Sequence, residues 1–199
     1  MTLDAPRYDR LAARYDRAMR PLERRLFARL RGRAFAEIGG AARLVEVGAG
    51  TGANFAHYPR GSSGACVEPS AEMLKVARGK ARPEGFALAQ ARAEALPFAD
   101  ASFDAAVATL VFCSVESPQK SFAELRRVVR AGGRVVLLEH VRPPGALGLL
   151  FDALSPLAAW LLDDHFNRRT ADEARRAGLR VVRVESHALG IVQLIVCEV

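Results

Sequence analysis

Three glycines alternate with single residues in Val45-Glu46-Val47-Gly48-Ala49-Gly50-Thr51-Gly52, directly behind a short apolar run. A strand that turns sharply while a ligand approaches its backbone needs this composition, because glycine takes positive φ without steric penalty and the N–H groups that follow attract electron-rich atoms. Glu68 ends the next apolar run, about twenty residues on, where a carboxylate can accept hydrogen bonds from ribose hydroxyls. The pair fits a nicotinamide or another adenosine cofactor, and a bare glycine turn beside a surface glutamate is the plain alternative. No Lys-Ser/Thr follows the glycines, which counts against a phosphate-clamping ATPase loop. Two histidines could move protons. His140 closes the apolar run Arg134–Glu139, and an imidazole with an unperturbed pKa of about 6.5 suits proton exchange near neutrality. His165, with Asn167 and Arg168, could hold a polar or phosphate head group, the guanidinium offering a planar fork. A histidine bonded to a loop backbone and a helix-boundary cluster are the respective alternatives. His57 and His187 read as structural or surface residues. Cys66, Cys113 and Cys197 lie far apart among apolar neighbours, so they read as small core side chains of a reducing compartment, with neither a disulfide framework nor metal-ligand spacing.

Alternating strands and helices must position these groups. Apolar residues recur at three and four from Tyr8 to Phe35, giving two helices separated at Pro21. Strands are expected at Arg43–Val47, Ala65–Val67, Phe86–Gln90, Phe103–Leu110 and Arg134–Glu139. Between them lie helices at about Thr51–His57, at Ala71–Arg78 with Ser70 as cap, and from Pro118 through Val129, stopped by Gly132-Gly133. The apolar stretch 146–162 forms one or two helices broken near Pro156, and Thr170–Ala177 another. Two strands, 179–186 and 190–197, have a connection too tight for a helical crossover, so they are antiparallel. The fold class is α/β: a three-layer sandwich around a seven-stranded, mostly parallel sheet with a C-terminal antiparallel hairpin.

At 199 residues the chain suffices for one full-sized core. Its net charge of +7 is uneven. Residues 1–43 hold eleven arginines, no lysine and five acids, so six of the seven excess charges sit there. An anionic membrane surface, a nucleic acid and an ordinary solvated face all fit such a segment. No secretory signal is visible, and Asp152 and Pro156 make 146–162 a poor spanning helix, which points to a cytoplasmic protein that could lie on the inner face of a membrane. No base-handling loop follows the fourth strand and no aromatic residues interleave with the arginines, which disfavours nucleic acid.

Glu46–Gly52, Glu68 in Val-Glu-Pro-Ser, Ala93-Glu-Ala-Leu-Pro-Phe-Ala-Asp-Ala-Ser-Phe-Asp104 and Glu124-Leu-Arg-Arg-Val-Val-Arg-Ala-Gly-Gly133 resemble, in order, the motifs of the Rossmann-like S-adenosylmethionine-dependent methyltransferases. The resemblance implies that S-adenosylmethionine is the cofactor, with Gly48, Gly50 and Gly52 as the wall under its methionine part, Glu68 on its ribose, and Glu46 and Ala49 also among its contacts. It implies that Met73 or the Pro69 region covers the adenine, that Ala93 and Glu94 lie at its edge, and that Leu110 also contacts the cofactor. The family often has an acid just before Ala93; here Arg92 stands there, and arginine has no acceptor for the adenine amino group. Tyr8 and Tyr15 recur in two Arg-Tyr-Asp-Arg units, and Tyr15 is expected to close over the cofactor, making residues 1–40 a helical lid on a 41–199 cofactor domain.

Thr109-Leu-Val-Phe-Cys-Ser-Val115, Glu139-His140-Val141 and His165-Phe-Asn-Arg168 are similar to a branch with small membrane-associated phospholipid N-methyltransferases and with thiol and quinone-precursor methyltransferases. The expected reaction is therefore methyl transfer to a small or amphipathic acceptor such as a phospholipid head-group amine. His140 and His165 would be the catalytic groups, and Phe112, Trp160, Asn167 and Arg168 would contact substrate. An O- or S-methyltransferase acting on a quinone precursor or small thiol is an alternative, with a closed apolar pocket of Phe112, Leu150, Phe151, Leu154 and Trp160. A nicotinamide oxidoreductase and a non-enzymatic membrane- or RNA-associated binding protein are the rivals outside the class. No metal is expected.

Overall fold

The computed structural model describes residues 6–162 and 164–199. Helix α1 (Pro6–Leu22) passes through a wide turn, Glu23–Phe27, into α2 (Ala28–Glu37). Pro21 lies inside α1 and does not begin a second helix; the wide turn follows it at once, as expected where a proline removes one rung of the hydrogen-bond ladder. The strands are β1 (Arg43–Val47), β2 (Ser63–Glu68), β3 (Phe86–Gln90), β4 (Phe103–Thr109), β5 (Val129–His140), β6 (Arg180–His187) and β7 (Val192–Glu198). Helices α3 (Ala71–Arg78), α4 (Pro118–Val128), α5 (Gly145–Leu162) and α6 (Thr170–Arg176) connect them. Ser70 and Ser117 cap α3 and α4 by accepting from the N–H groups of Met73 and Lys120.

The sheet order is β3-β2-β1-β4-β5-β7-β6. β1 through β5 pair in parallel, and β7 pairs antiparallel with both β5 and β6. This is the expected seven-stranded arrangement. Strand order reverses between β1 and β4, the switch point at which open α/β sheets leave a crevice for ligands.

Three boundaries depart from expectation. Only Phe55–His57 is helical in the stretch after the glycines, as one 3-10 turn. β5 begins at Val129, so Gly132 and Gly133 lie inside the strand at a register shift against β4. A Cβ on Gly133 would sit 2.6 Å from the Asp104 carbonyl, so the two strands close together only over a glycine. The segment 146–162 belongs to one helix with Pro156 inside it. Ser155 and Ala158 of α5 point inward, whereas Leu149, Leu150, Leu154, Leu157 and Trp160 are 43–71% exposed on one outward arc. The closed pocket expected from Leu150, Leu154, Trp160 and Phe112 is therefore not formed, because helical periodicity turns three of them to the surface and Phe112 stacks on Phe122 within the core.

Two apolar layers cover the sheet. One gathers Phe112, Phe122 and Leu125 with the α6 side, the other Phe27, Leu30, Phe35 and Tyr58 with the α2 side. α1 packs on α3, across the carboxyl ends of the first strands.

Candidate active site

A cleft of about 350 Å³ opens at the switch point, a size that ordinary small-molecule sites share. The β1 side is walled by Val47 to Thr51, with Glu68, Pro69 and Met73 beyond; the β4 side by Thr109, Leu110, Val111, Ser114 and Val115, with His165 beside them. Tyr15 of α1 and Arg31 of α2 also line it.

The glycine loop is held by its own backbone, the N–H groups of Gly48 and Ala49 donating to the Val67 carbonyl at 2.8 and 2.9 Å. Gly48 has φ +71° and packs against Val111, so a side chain there would collide with the opposite wall. Gly50 has φ +54°, and no protein atom lies within 4 Å of where its Cβ would be, which leaves room for a ligand against the bare backbone. Glu68 is 7% exposed. One of its carboxylate oxygens accepts from the Gly50 N–H at 3.0 Å and the other from the Ser70 N–H at 2.9 Å. Burial pushes its pKa up to about 7 against the pull of those two donors. A fixed acceptor beside an open glycine turn matches what a ribose diol requires, so the residues present fit an adenosine cofactor.

The repeated Tyr-Asp units act through their aspartates. Asp16 accepts from the Thr51 hydroxyl of the glycine loop at 2.5 Å and from Lys80 Nζ at 2.6 Å, and these bonds hold its pKa below the usual value against the opposing effect of partial burial. Asp9 accepts from the Ser70 hydroxyl and from the Glu72 N–H at the start of α3. α1 is thus latched to both nucleotide-side turns, with Tyr15 facing the cleft. Burial raises the Tyr15 phenol to about 12, so it remains a neutral donor at physiological pH. The side chain of Tyr8 lies outside the described residues.

Arg31 is the residue that sequence reasoning missed. It is 5% exposed yet charged, its Nη1 donating to Asn54 at 2.9 Å and to the Thr109 hydroxyl at 2.6 Å while Nε donates to Glu23 at 2.8 Å. The signal was an arginine beside Leu30, Ala34 and Phe35, on the buried stripe of its helix. Glu46, expected at the cofactor, is fully buried behind the loop, where Asn54 Nδ2 donates to it at 2.5 Å and the Tyr58 hydroxyl donates as well. It braces Asn54, and so Arg31, from behind. Gly52 is likewise outside the lining, packed against Phe55.

At the expected adenine end, Ala93 and Glu94 line the cleft as anticipated. Arg92 pairs with Glu116 at 2.6 Å and approaches Glu94 to 3.6 Å. Glu94 also accepts from the N–H groups of Glu116 and Ser117 at 2.9 and 3.2 Å. The arginine that stands where the family often has an acid is therefore neutralised within the wall. Leu110, between β4 and the opposite wall, has φ +59°, a strained conformation for a branched side chain. Glu139, fully buried at the end of β5, enforces it by accepting from the N–H groups of Val111 and Phe112 at 3.0 and 3.1 Å.

The remaining expected residues divide. His165 lines the cleft, and its backbone N–H donates to the Cys113 carbonyl at 2.9 Å. His140 lies outside the lining, with Nε2 2.8 Å from an Asp164 carboxylate oxygen. Burial alone would lower its pKa, but the bond to Asp164 and that residue's charge raise it. Asn167 accepts from Ser155 on α5, and Arg168 donates to the Val115 carbonyl at 2.9 Å, so both tie the post-α5 segment in place. Trp160 is on the exterior at 71% exposure.

A family model described as a methyltransferase domain matches residues 45–137. A thiol S-methyltransferase of Mus musculus is 35% identical over 88% of this chain and 74% of its own length. The human counterpart is 39% identical over 67% of this chain, which spans 56% of that relative. A phosphatidylethanolamine N-methyltransferase of Cereibacter sphaeroides is 35% identical over 65% of this chain and 68% of its own. Among solved structures, a methyltransferase of Thermotoga maritima superposes with a TM-score of 0.74 over 96% of this chain and 98% of that one, at 24% identity, a likeness of fold.

Proposed function

Because the chain belongs to the S-adenosylmethionine-dependent methyltransferase family, we propose that it methylates a small apolar thiol in the cleft between the glycine loop and the β4 wall. S-Adenosylmethionine, when bound, supplies a methyl group activated on a sulfonium. Glu68 accepts from its ribose, Tyr15 covers it beneath α1, and Arg31 meets the methionyl carboxylate at the inner end of the cleft. The acceptor lies against Leu110, Val111, Ser114 and Val115, and His165 takes the thiol proton.

The observation that carries this choice of acceptor is the absence of an uncommitted carboxylate in the described lining. Glu68 is taken by the ribose in this reading, Glu94 accepts from two backbone N–H groups, and Glu116 pairs with Arg92, so no acidic group is left to hold a cationic amine. The apolar β4 wall instead suits a neutral, polarisable nucleophile. The similarity to thiol S-methyltransferases over 88% of the chain points the same way. A second reading, a phospholipid amine acceptor, is favoured by the apolar arc of α5, which could rest on a lipid surface while the exposed arginines of α1 contact anionic head groups, each contributing about 1 kcal/mol.

Transfer of a labelled methyl group to an alkyl thiol, to phosphatidylethanolamine vesicles and to a demethylated quinol, followed by mass spectrometry, separates these readings. The thioether product is expected. Methylation of the lipid amine with no thiol turnover would overturn the thiol reading in favour of the second. Calorimetry with S-adenosylmethionine and with NADH tests the cofactor independently.

A further inference from the structure

We propose that Cys113, His140 and Asp164 form a binding site for a single zinc-type divalent cation. Three separate segments bring them together: the loop after β4, the last residue of β5 and the segment after α5. One sulfur, one imidazole nitrogen and one carboxylate oxygen all lie within 4.8 Å of one another. This donor mix suits zinc better than the oxygen-seeking cations, and three protein ligands leaving one position for water is a recurrent zinc arrangement. Cys113 is buried, while His140 and Asp164 are partly exposed, so an ion can reach the triad from the solvent side.

The geometry is close to what coordination needs. With bonds of about 2.0–2.3 Å, tetrahedral ligand atoms stand roughly 3.3–3.7 Å apart. The 2.8 Å His140–Asp164 hydrogen bond must therefore open by about half an ångström, and the longest separation, at most 4.8 Å, must close by roughly one. Rotations of the two partly exposed side chains supply such shifts. On binding, Cys113 loses its thiol proton to solvent and the cation takes its place.

Occupancy would reach the cleft through covalent neighbours. Ser114 and His165 each follow a proposed ligand in sequence, and both line the β4 side of the cleft. The His165 N–H is already bonded to the Cys113 carbonyl. An ion at this position would pin together the two segments that wall the acceptor, whatever the acceptor is. The site thus stands or falls separately from the thiol reading.

The test uses the full chain, stripped with a chelator and dialysed against Zn²⁺ or Co²⁺. One ion per chain is expected by elemental analysis, with a thiolate-to-cobalt charge-transfer band in the near ultraviolet for the Co²⁺ form. Cys113→Ser should abolish the band and weaken binding at least about tenfold, and Asp164→Asn should weaken binding to a similar degree while keeping the band. Asp164→Asn, a near-isosteric change at a partly exposed position, serves if Cys113→Ser does not fold, with S-adenosylmethionine binding reporting the fold of each. A substoichiometric trace of metal, a band that survives Cys113→Ser, or full-strength binding by Asp164→Asn would each overturn the site, leaving only a hydrogen-bonded triad.

Discussion

Glu68 should make cofactor binding release protons. Its carboxyl is raised to about 7 by burial in the free protein, so at pH 7 it is close to half protonated. Accepting two ribose hydroxyls requires the carboxylate, and a bound-state pKa near the ordinary value of about 4.3 follows if the hydroxyls and the two backbone donors together offset burial. Linkage then gives a release of about 0.9 proton per cofactor bound at pH 6, about 0.5 at pH 7 and about 0.1 at pH 8. Affinity should weaken about tenfold from pH 8 to pH 6, or about 1.4 kcal/mol. Calorimetry of S-adenosylhomocysteine binding in buffers of contrasting ionisation enthalpy measures the protons directly. Glu68→Gln keeps an acceptor but cannot titrate. The cofactor's own amino group titrates in both proteins and cancels in the difference between them. The reasoning also fixes the sign of a stability effect. A folded-state pKa raised from 4.5 to about 7 means that the folded apoprotein binds the extra proton. The resulting stabilisation, up to about 3 kcal/mol, is full below pH 4.5 and fades as pH rises through 7, in the wild type alone. Equal proton release by wild type and Glu68→Gln would refute the assignment of the buried carboxyl to the ribose.

Asp16→Ala should loosen α1 over the cleft; because its bonds to Thr51 and Lys80 are half-exposed, thermal stability should fall by no more than about 1 kcal/mol while cofactor dissociation, followed by stopped-flow fluorescence, accelerates several-fold. Arg31→Met, which removes the buried charge and leaves Glu23 and the Asn54 carbonyl oxygen without their donor, should cost about 3 kcal/mol or more in chemical denaturation, and Arg31→Lys should restore part of the stability but little of the cofactor affinity. Glu139→Gln keeps one acceptor for the Val111 and Phe112 N–H groups and should lose about 1 kcal/mol, against about 3 for Glu139→Ala, as read from urea midpoints. Trp160→Ala with Leu157→Glu should reduce flotation on anionic vesicles without altering S-adenosylmethionine affinity; equal flotation of wild type and variant would sink the lipid-surface reading.

The half of the site made from one continuous segment was legible, and the half made from distant segments was not. Gly48, Ala49 and Gly50 lie in one strand-turn unit whose local geometry is written in consecutive residues, and Glu68 follows at the spacing one crossover imposes. The sheet was readable for the same reason, since five runs of apolar residues alternating with helical periods admit little else. Boundaries slipped where one neighbouring strand decided them: Gly132-Gly133 looks like a helix stop until β4 closes over it. The acceptor side failed differently. Whether Leu154 or Trp160 faces a cavity or water depends on the rotation of α5 about its axis, and the sequence of an almost wholly apolar helix carries no polar stripe to fix that rotation. Cys113, His140 and Asp164 come from three elements, so no linear spacing announces them.

The basic N-terminal segment shows why net charge is a weak guide to partners. Counted along the chain, residues 1–43 form a cationic appendage. In the fold, Arg31 is buried on Glu23 at the cleft floor, Arg33 pairs with Glu185 on β6, and the Arg43 guanidinium lies 5.9 Å from the centroid of the Phe103 ring. Those arginines wire the helices to the sheet and are not offered to a partner. Arg14, Arg17, Arg20, Arg24, Arg25 and Arg29 remain exposed, and the acids of the same segment, Asp9 and Asp16, are spent holding α1 to α3 and the glycine loop. One helix thus presents acids to the cofactor side and bases to solvent, so a partner that pulled on its arginines would act directly on the latch over the cleft.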